Sequence, residues 1–404
     1  MLAATWWSYA GFYFCRKTFG ILKGPLKEAL QVDDLQLAHV WTAYLVAYMI
    51  GQFLSGWLGS RMACRRLLLV GMGVSAVANL GFGFAAEHGA YYAFLALMVL
   101  NGFAQSTGWP GNIGALAPWF GRAERGTVIG LWGTCYQFGS VGAKAFAAFM
   151  FGWMGLAWSF WGASLLLLAV WGLFYLLQAD RPEDVGLPPV EQDGPEQQAG
   201  AGIGGWSPAV IRSVMVMGAA YFSFKFLRYA LDSWSALVLA ERFDLSVSTA
   251  GYLSTVFDLV GFASVIFAGW ATDRFWAGKR APLAFLMSLG MVAAAVFLWA
   301  FGLQHVLLFG AGLALLGFTL FGPDSLLAGV GAIDVGSARG AALAAGIVNG
   351  MGSLGPIVQE EAIGYLKVTW GTDAVFLLLI FVAVLGACGT GLLWLWGRSG
   401  RSQF

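Results

Sequence analysis

Twelve times along its 404 residues this chain runs through a stretch of about twenty predominantly apolar residues, the length an α-helix needs to cross the hydrocarbon of a bilayer. No other feature restricts the fold so strongly. Inside a membrane every backbone N–H and C=O must be satisfied within the structure, which leaves helices and closed barrels, and segments of this length are helices. The expected spans are 3–22, 38–59, 67–86, 91–117, 126–152, 156–178, 209–238, 247–271, 281–302, 306–330, 339–364 and 373–397. Only 11% of residues are charged and mean hydropathy is +0.73, where soluble domains carry about 25% charged residues. The chain reads as an all-α membrane protein.

One long polar interruption separates the sixth and seventh spans. It contains "RPEDVGLPPVEQDGPEQQAGAG", rich in Pro, Gly, Glu and Gln, and reads as a flexible linker. The expected organisation is an N-terminal six-helix half (1–178), a cytoplasmic linker (179–208) and a C-terminal six-helix half (209–404). With both termini cytoplasmic, 13 of the 22 lysines and arginines fall on that side, including Arg61, Arg65, Arg66, Arg125, Arg274 and Arg280. Four, Lys23, Lys27, Arg242 and Lys367, fall on the other. That bias follows the positive-inside rule, and the expected location is a bacterial inner membrane. The loop arginines are read as orienting the protein and bracing helix ends. The four cysteines are scattered through apolar segments and suggest neither a disulfide nor a metal framework. No cofactor, no nucleic-acid partner and no cleavable signal peptide are expected.

The halves repeat. "GWLGSR" (Gly56–Arg61) matches "GWATDR" (Gly269–Arg274) at an offset of 213. "GSVG" (Gly139–Gly142) matches "GSLG" (Gly352–Gly355), and Pro110 matches Pro323, at the same offset. Coincident offsets along six helices indicate duplication. Two parallel six-helix halves related by an axis along the membrane normal describe the major facilitator architecture, with its substrate site near mid-depth between them.

Five cations remain inside the membrane: Arg16, Lys17, Lys144, Lys225 and Arg228. A charge at the bilayer centre costs about 2.5–3.5 kcal/mol on insertion scales. Arg16 and Arg228 stand at repeat-equivalent positions in the first helix of each half and are expected to face each other across the central cavity. A guanidinium is always charged and grips phosphate or carboxylate with a planar fork; two suit a phosphate better than one carboxylate. Alternatively each is neutralised by a nearby acid, and Asp232, one turn beyond Arg228, is such an acid. Tyr9 and Tyr13 share a stripe with Arg16, and Lys225 shares a face with Arg228. Gln137 and Lys144 share a face on the fifth helix, where Lys144 either lines the cavity or snorkels outward. Lys17, Asp232 and Asp258 are read as a conformational salt-bridge network between the halves. Asp324, Glu360 and Glu361 are candidates for proton coupling, although Glu360 and Glu361 lie near the outer end of the eleventh helix and are otherwise simply hydrated.

Together "YAGFYFCRKTFG", "NGFAQSTGWPGNIGALAPWFGRAERG", "LWGTCYQFGS", "RPEDVGLPP" and "FLRYALDSWS" resemble the organophosphate:inorganic-phosphate antiporter family of the major facilitator superfamily, which includes glycerol-3-phosphate and hexose-phosphate transporters and glucose-6-phosphate translocases. The resemblance implies phosphate-binding roles for Arg16 and Arg228. It places Lys17 and Asp258 in a salt-bridge network, and Tyr9, Tyr13 and Trp109 at the site. The chain departs from the glycerol-3-phosphate transporter pattern at Tyr136, which stands in place of a histidine, at Gln52 in place of a lysine, and at Ser60 in place of an acid. Lys225 is an added charge. Tyr136 and its repeat partner Asn349 are expected to put hydrogen-bonding groups at one level.

The expected function is a non-enzymatic exchange of a phosphorylated metabolite (sugar phosphate, glycerol phosphate or phosphoglycerate) for inorganic phosphate by alternating access, by a monomer in the lipid bilayer. The alternatives are a proton-coupled transporter of another organic anion and a non-transporting membrane sensor of sugar phosphate.

Overall fold

The computed structural model describes residues 1–190, 206–245 and 247–399. The proline- and glutamine-rich core of the linker, 191–205, lies outside the described residues. Among the described residues every regular element is helical. The first six spans are α1 (Leu2–Ile21), α3 (Asp34–Gly59), α4 (Cys64–Glu87), the pair α5 (Tyr91–Ser106) and α6 (Gly108–Leu116), α7 (Arg122–Met154) and α8 (Leu156–Leu177). A short helix the sequence reading did not anticipate, α2 (Lys23–Leu30), follows α1. Asp33 then starts α3 with a capping box, its carboxylate accepting from the Gln36 amide at 2.7 Å while the Gln36 side chain accepts from the Asp33 amide.

The second set comprises α9 (Pro208–Phe243), α10 (Val247–Trp276), α11 (Ala281–Phe301), α12 (Val306–Ser325) with a π turn over Leu326–Val330, α13 (Gly331–Gly352) with α14 (Leu354–Trp370), and α15 (Thr372–Arg398). The chain reverses inside α13 at Ser337 (φ 61°, ψ 174°), so the tenth span ends and the eleventh begins there. Successive spans alternate in direction, so the start of α1 and the end of α15 lie on one face, called here the terminal face.

Prolines place the internal breaks. Pro110 and Pro356 have no amide hydrogen and crowd the carbonyl four residues back. The helices part at Thr107 and Ser353, three residues before each. Pro323 is kept inside α12, and the π turn follows it directly.

Eight spans are long and apolar enough to cross a membrane by length and composition alone, among the described residues. They include all six of the second set but only α4 and α8 of the first. The helices missing from that group, α1, α3, α5–α6 and α7, each contribute polar side chains to the site described below.

The repeated "GW" motifs mark where the two sets touch near the terminal face. A Cβ on Gly56 of α3 would lie 2.9 Å from the Gly346 Cα of α13. A Cβ on Gly269 of α10 would run into the Gly126 carbonyl of α7. Both glycines are required by backbone-to-backbone approach rather than by their dihedral angles.

Candidate functional site

A cavity of about 350 Å³ lies between the two sets, lined from the parts of α1, α3, α7, α9 and α10 that lie away from the terminal face. Arg16 from α1 and Arg228 from α9 both line it. Its walls are aromatic and polar: Tyr13, Trp41, Tyr44, Tyr48, Tyr136, Gln137, Ser140 and Tyr229 among others. Beneath it is a smaller pocket of about 20 Å³ that shares Tyr13, Arg16, Tyr48, Tyr136, Arg228 and Tyr229 and adds Tyr9, Trp109, Tyr221, Lys225, Asp324 and Asn349. The expected facing of Arg16 and Arg228 into one space is therefore observed.

Arg16 is held by neutral groups. Its Nε donates to Gln105 Oε1 at 3.0 Å, and its guanidinium stacks over the Tyr13 and Tyr48 rings at 5.0 and 4.8 Å. Gln105 is itself fixed, its Nε2 donating to the Phe12 carbonyl at 2.9 Å and to Ser75 Oγ at 3.0 Å. Ser75 donates to Asn101 Oδ1, and Asn101 donates to the Cys15 carbonyl. The "NGFAQ" run thus builds a buried amide relay that aims one arginine. Gln105 was missed as a functional residue, although the run that contains it had been singled out.

Arg228 is held by an ion. Its Nη1 lies 3.5 Å from Asp324 Oδ2, and its guanidinium stacks over Tyr136 and Phe321 at 4.7 and 5.1 Å. The carboxylate within ion-pair reach is Asp324, from α12, and not Asp232, because packing of α12 against α9 brings Asp324 to the buried side of the guanidinium. Lys225, one turn back on α9, donates to Ser353 Oγ at 3.0 Å, and Ser353 donates on to the Asn349 carbonyl. Arg16, Lys225 and Arg228 share this deep region with one acid, Asp324.

Several buried polar atoms here have no hydrogen-bond partner: Arg16 Nη2, Tyr136 Oη, both amide atoms of Gln137 and Asp324 Oδ1. Such groups are costly unless bonded. They converge on the cavity and suit an anion bearing hydroxyl groups.

Lys17, Lys144, Asp232 and Asp258 line the outer part of the same cavity. Lys144 therefore faces inward. Among the described residues no ion pair within 4.0 Å joins any of the four. The expected network is thus gathered around one space but is not in contact in this conformation.

The ion cluster that does join the two sets lies on the terminal face. Arg125 of α7 donates to Asp334 Oδ1 at 2.6 Å, and Arg280, the residue before α11, donates to Asp334 Oδ2 at 3.0 Å. Arg280 also pairs with Asp273. Asp273, from the "GWATDR" motif, accepts from the Thr127 amide at 2.6 Å and its hydroxyl at 2.9 Å. The Asp334 carboxylate is fully enclosed. Arg125 and Arg280 accordingly do more than orient loops: they fasten α7 to the second set. Spacing alone gave no sign of this, because the pairs that cross between the sets, Arg125–Asp334 and Thr127–Asp273, lie 209 and 146 positions apart.

Trp109 belongs to the same closure. Its indole N–H donates to the Ala328 carbonyl in the π turn at 2.8 Å, so this donor is spent across the interface, while the ring lines the deep pocket. Tyr9 packs against Tyr13, Trp109 and Trp132. Glu360 and Glu361 are exposed and line neither pocket, and Glu360 accepts from Gln359.

A family profile described as Major Facilitator Superfamily matches residues 5–360. The chain is 26% identical to the membrane sensor protein UhpC of Salmonella typhimurium, covering 96% of this chain and 89% of that protein. It is also 26% identical to the glycerol-3-phosphate transporter of Bacillus subtilis, over 96% and 90% of the two chains. Among solved structures, the transporter FucP in its outward conformation superimposes with a TM-score of 0.75 at 14% identity, covering 100% of this chain and 99% of that one.

Proposed function

The chain belongs to the major facilitator superfamily, and from that premise we propose that it is a secondary transporter exchanging a phosphorylated metabolite for inorganic phosphate across a bilayer. One observation carries the reading: two repeat-equivalent arginines enter one cavity with unpartnered polar atoms between them. A phosphate group placed there accepts the bidentate forks of both. Tyr136 Oη and Gln137 stand ready for phosphate or sugar hydroxyls. The halves are residues 1–178 and 209–404, the termini are cytoplasmic, and the membrane is the bacterial inner membrane. The protein acts as a monomer.

Exchange follows from electrostatics. With basic side chains outnumbering the single acid of the deep pocket, closing around an empty site would bury uncompensated charge in a low dielectric, which is costly. Phosphate on either side removes that barrier. The Arg125–Asp334–Arg280–Asp273 cluster and the Trp109–Ala328 bond hold the terminal face shut, and they must part for the cavity to open there. Lys17, Lys144, Asp232 and Asp258, unpaired while the opposite side is open, come together as that side closes.

The test is flux. Purified protein in phosphate-loaded liposomes should take up labelled sugar, glycerol or triose phosphates only while internal phosphate is present. Uptake driven by a pH gradient with no internal phosphate would replace this reading with proton-coupled transport. A second reading, a membrane sensor, is supported by the relative named as one; it expects ligand binding with no flux for any phosphate tested.

A further inference from the structure

The sixth and twelfth spans, α8 and α15, end on the terminal face, and arginines sit on aromatic rings at both ends. At the end of α8 the Arg65 guanidinium lies 5.0 Å over the Tyr175 ring. It also donates to the Tyr175 carbonyl at 2.5 Å, and the Arg65 amide donates to Asp180. That cation is spent within the protein. At the end of α15 two arginines are seated in the same way but keep their donors free. Arg212, near the start of α9, lies 5.8 Å over the Trp396 ring. Arg398 lies 5.5 Å over Trp394, whose ring stacks on Phe285 of α11 at 5.5 Å. Both arginines are exposed, and among the described residues neither makes a hydrogen bond or an ion pair.

Toward the bilayer from these cations the surface is apolar and open. α9 exposes Met215 and Ala219, one and two turns beyond Arg212, and α15 exposes Cys388, Leu392 and Leu395 as it nears its end. In a chain that spans a bilayer, lipid tails cover such a surface, so what the cations decide is the headgroup. Tryptophan rings settle at the level of the headgroups. A guanidinium held over such a ring is kept at that level with its N–H fork free for a phosphodiester. We propose that the terminal-face end of α15 binds anionic phospholipid, with one headgroup at Arg212 on Trp396 and one at Arg398 on Trp394. The acyl chains lie along the exposed stripes of α9 and α15. Neither arginine lines the transport cavity, so lipid capture here is independent of the solute carried.

Native mass spectrometry of the full chain, titrated with phosphatidylglycerol and phosphatidylcholine of identical acyl chains, is the test. The wild type should retain phosphatidylglycerol in preference to phosphatidylcholine, with two molecules bound at saturation. Arg212→Gln and Arg398→Gln should each weaken one of the two binding steps about fivefold, the equivalent of roughly 1 kcal/mol for a cation at an anionic surface. The double variant should bind the two lipids alike. Trp396→Leu leaves Arg212 in place but removes its ring, and should lose the same step as Arg212→Gln. Arg66, an exposed cation of the same face with no ring beneath it among the described residues, is the control, and Arg66→Gln should change nothing. If Trp396→Leu does not fold, the two arginine variants decide, since both side chains are exposed. Equal retention of the two lipids by the wild type, or a loss in Arg66→Gln as large as in Arg212→Gln, would reduce the surface to the general attraction of a basic face and overturn the site. Release of phosphatidylglycerol by millimolar inorganic phosphate would overturn it as well, assigning the arginines to a soluble ion.

Discussion

The two halves present matching arginines to one cavity and secure them by different physics. Arg16 is fixed by a relay of neutral amides and hydroxyls that begins at Gln105. Arg228 is shared with a carboxylate at 3.5 Å. The first arrangement is rigid and leaves the charge whole; the second half-neutralises the charge and can be displaced by a stronger anion. A phosphate therefore meets an anchored fork on one side and competes with Asp324 on the other. The same inequality appears at the closed face. "GWATDR" supplies Asp273, which accepts from the Thr127 amide and hydroxyl in α7. "GWLGSR" supplies Ser60, which bonds only within its own helix, to the Trp57 carbonyl. Duplication fixed the positions; the partners then diverged.

The largest effect expected is at the arginines themselves. Arg16→Lys and Arg228→Lys should each cut phosphate exchange by roughly 100-fold or more, about 2.7 kcal/mol, because lysine keeps the charge but not the fork. Both variants should still insert and run as folded protein on size exclusion. If Arg228→Lys keeps near wild-type exchange while Arg16→Lys does not, only the anchored arginine grips the substrate and the symmetric picture fails.

Next in size is the anchor. Gln105→Leu strips Arg16 Nε of its acceptor and should weaken phosphate binding or thermal stability by about 1.5–3 kcal/mol, the range for a hydrogen bond to a charged group. Phosphate affinity and melting temperature unchanged from wild type would mean that the relay is passive packing and that the two arginines are held alike.

Trp109→Phe keeps the ring and removes the bond to Ala328, a loss of about 0.5–1.5 kcal/mol borne by the closed terminal face. Cys64, half-buried at the terminal-face end of α4, is a built-in reporter. Its alkylation should speed up roughly two- to tenfold, and an unchanged rate would remove Trp109 from the closure.

The smallest effect is at Tyr136. Its ring already stacks on Arg228, so Tyr136→Phe should retain the cation–π contact and lose only the hydroxyl. Phosphate should bind about 0.5–1.5 kcal/mol more weakly, with the pH profile unaltered. Affinity equal to wild type for every phosphate tested would assign Tyr136 to packing.

Sequence alone determined the membrane architecture, the duplication and the arginine pair, and the reason is energetic. Twenty-residue apolar runs have one stable form in lipid, and an arginine that survives inside one has few explanations. It also placed Tyr9 and Tyr13 with Arg16, and Gln137 with Lys144, on common helix faces, since residues four or seven apart on a helix share a face whatever it packs against. What only the tertiary structure decided is which charge answers which. The neighbour of Arg228 is Asp324, 96 positions away, and not Asp232 four positions away. Arg125, Arg280, Asp273 and Asp334, drawn from loops and helix ends of both halves, meet in one enclosed cluster. Helical spacing fixes angles around one axis only. The rotation and depth of neighbouring helices come from packing, as where Gly269 lets α10 touch α7, and those decide whether two charges separated by a hundred residues lie within 4 Å or face each other across open space.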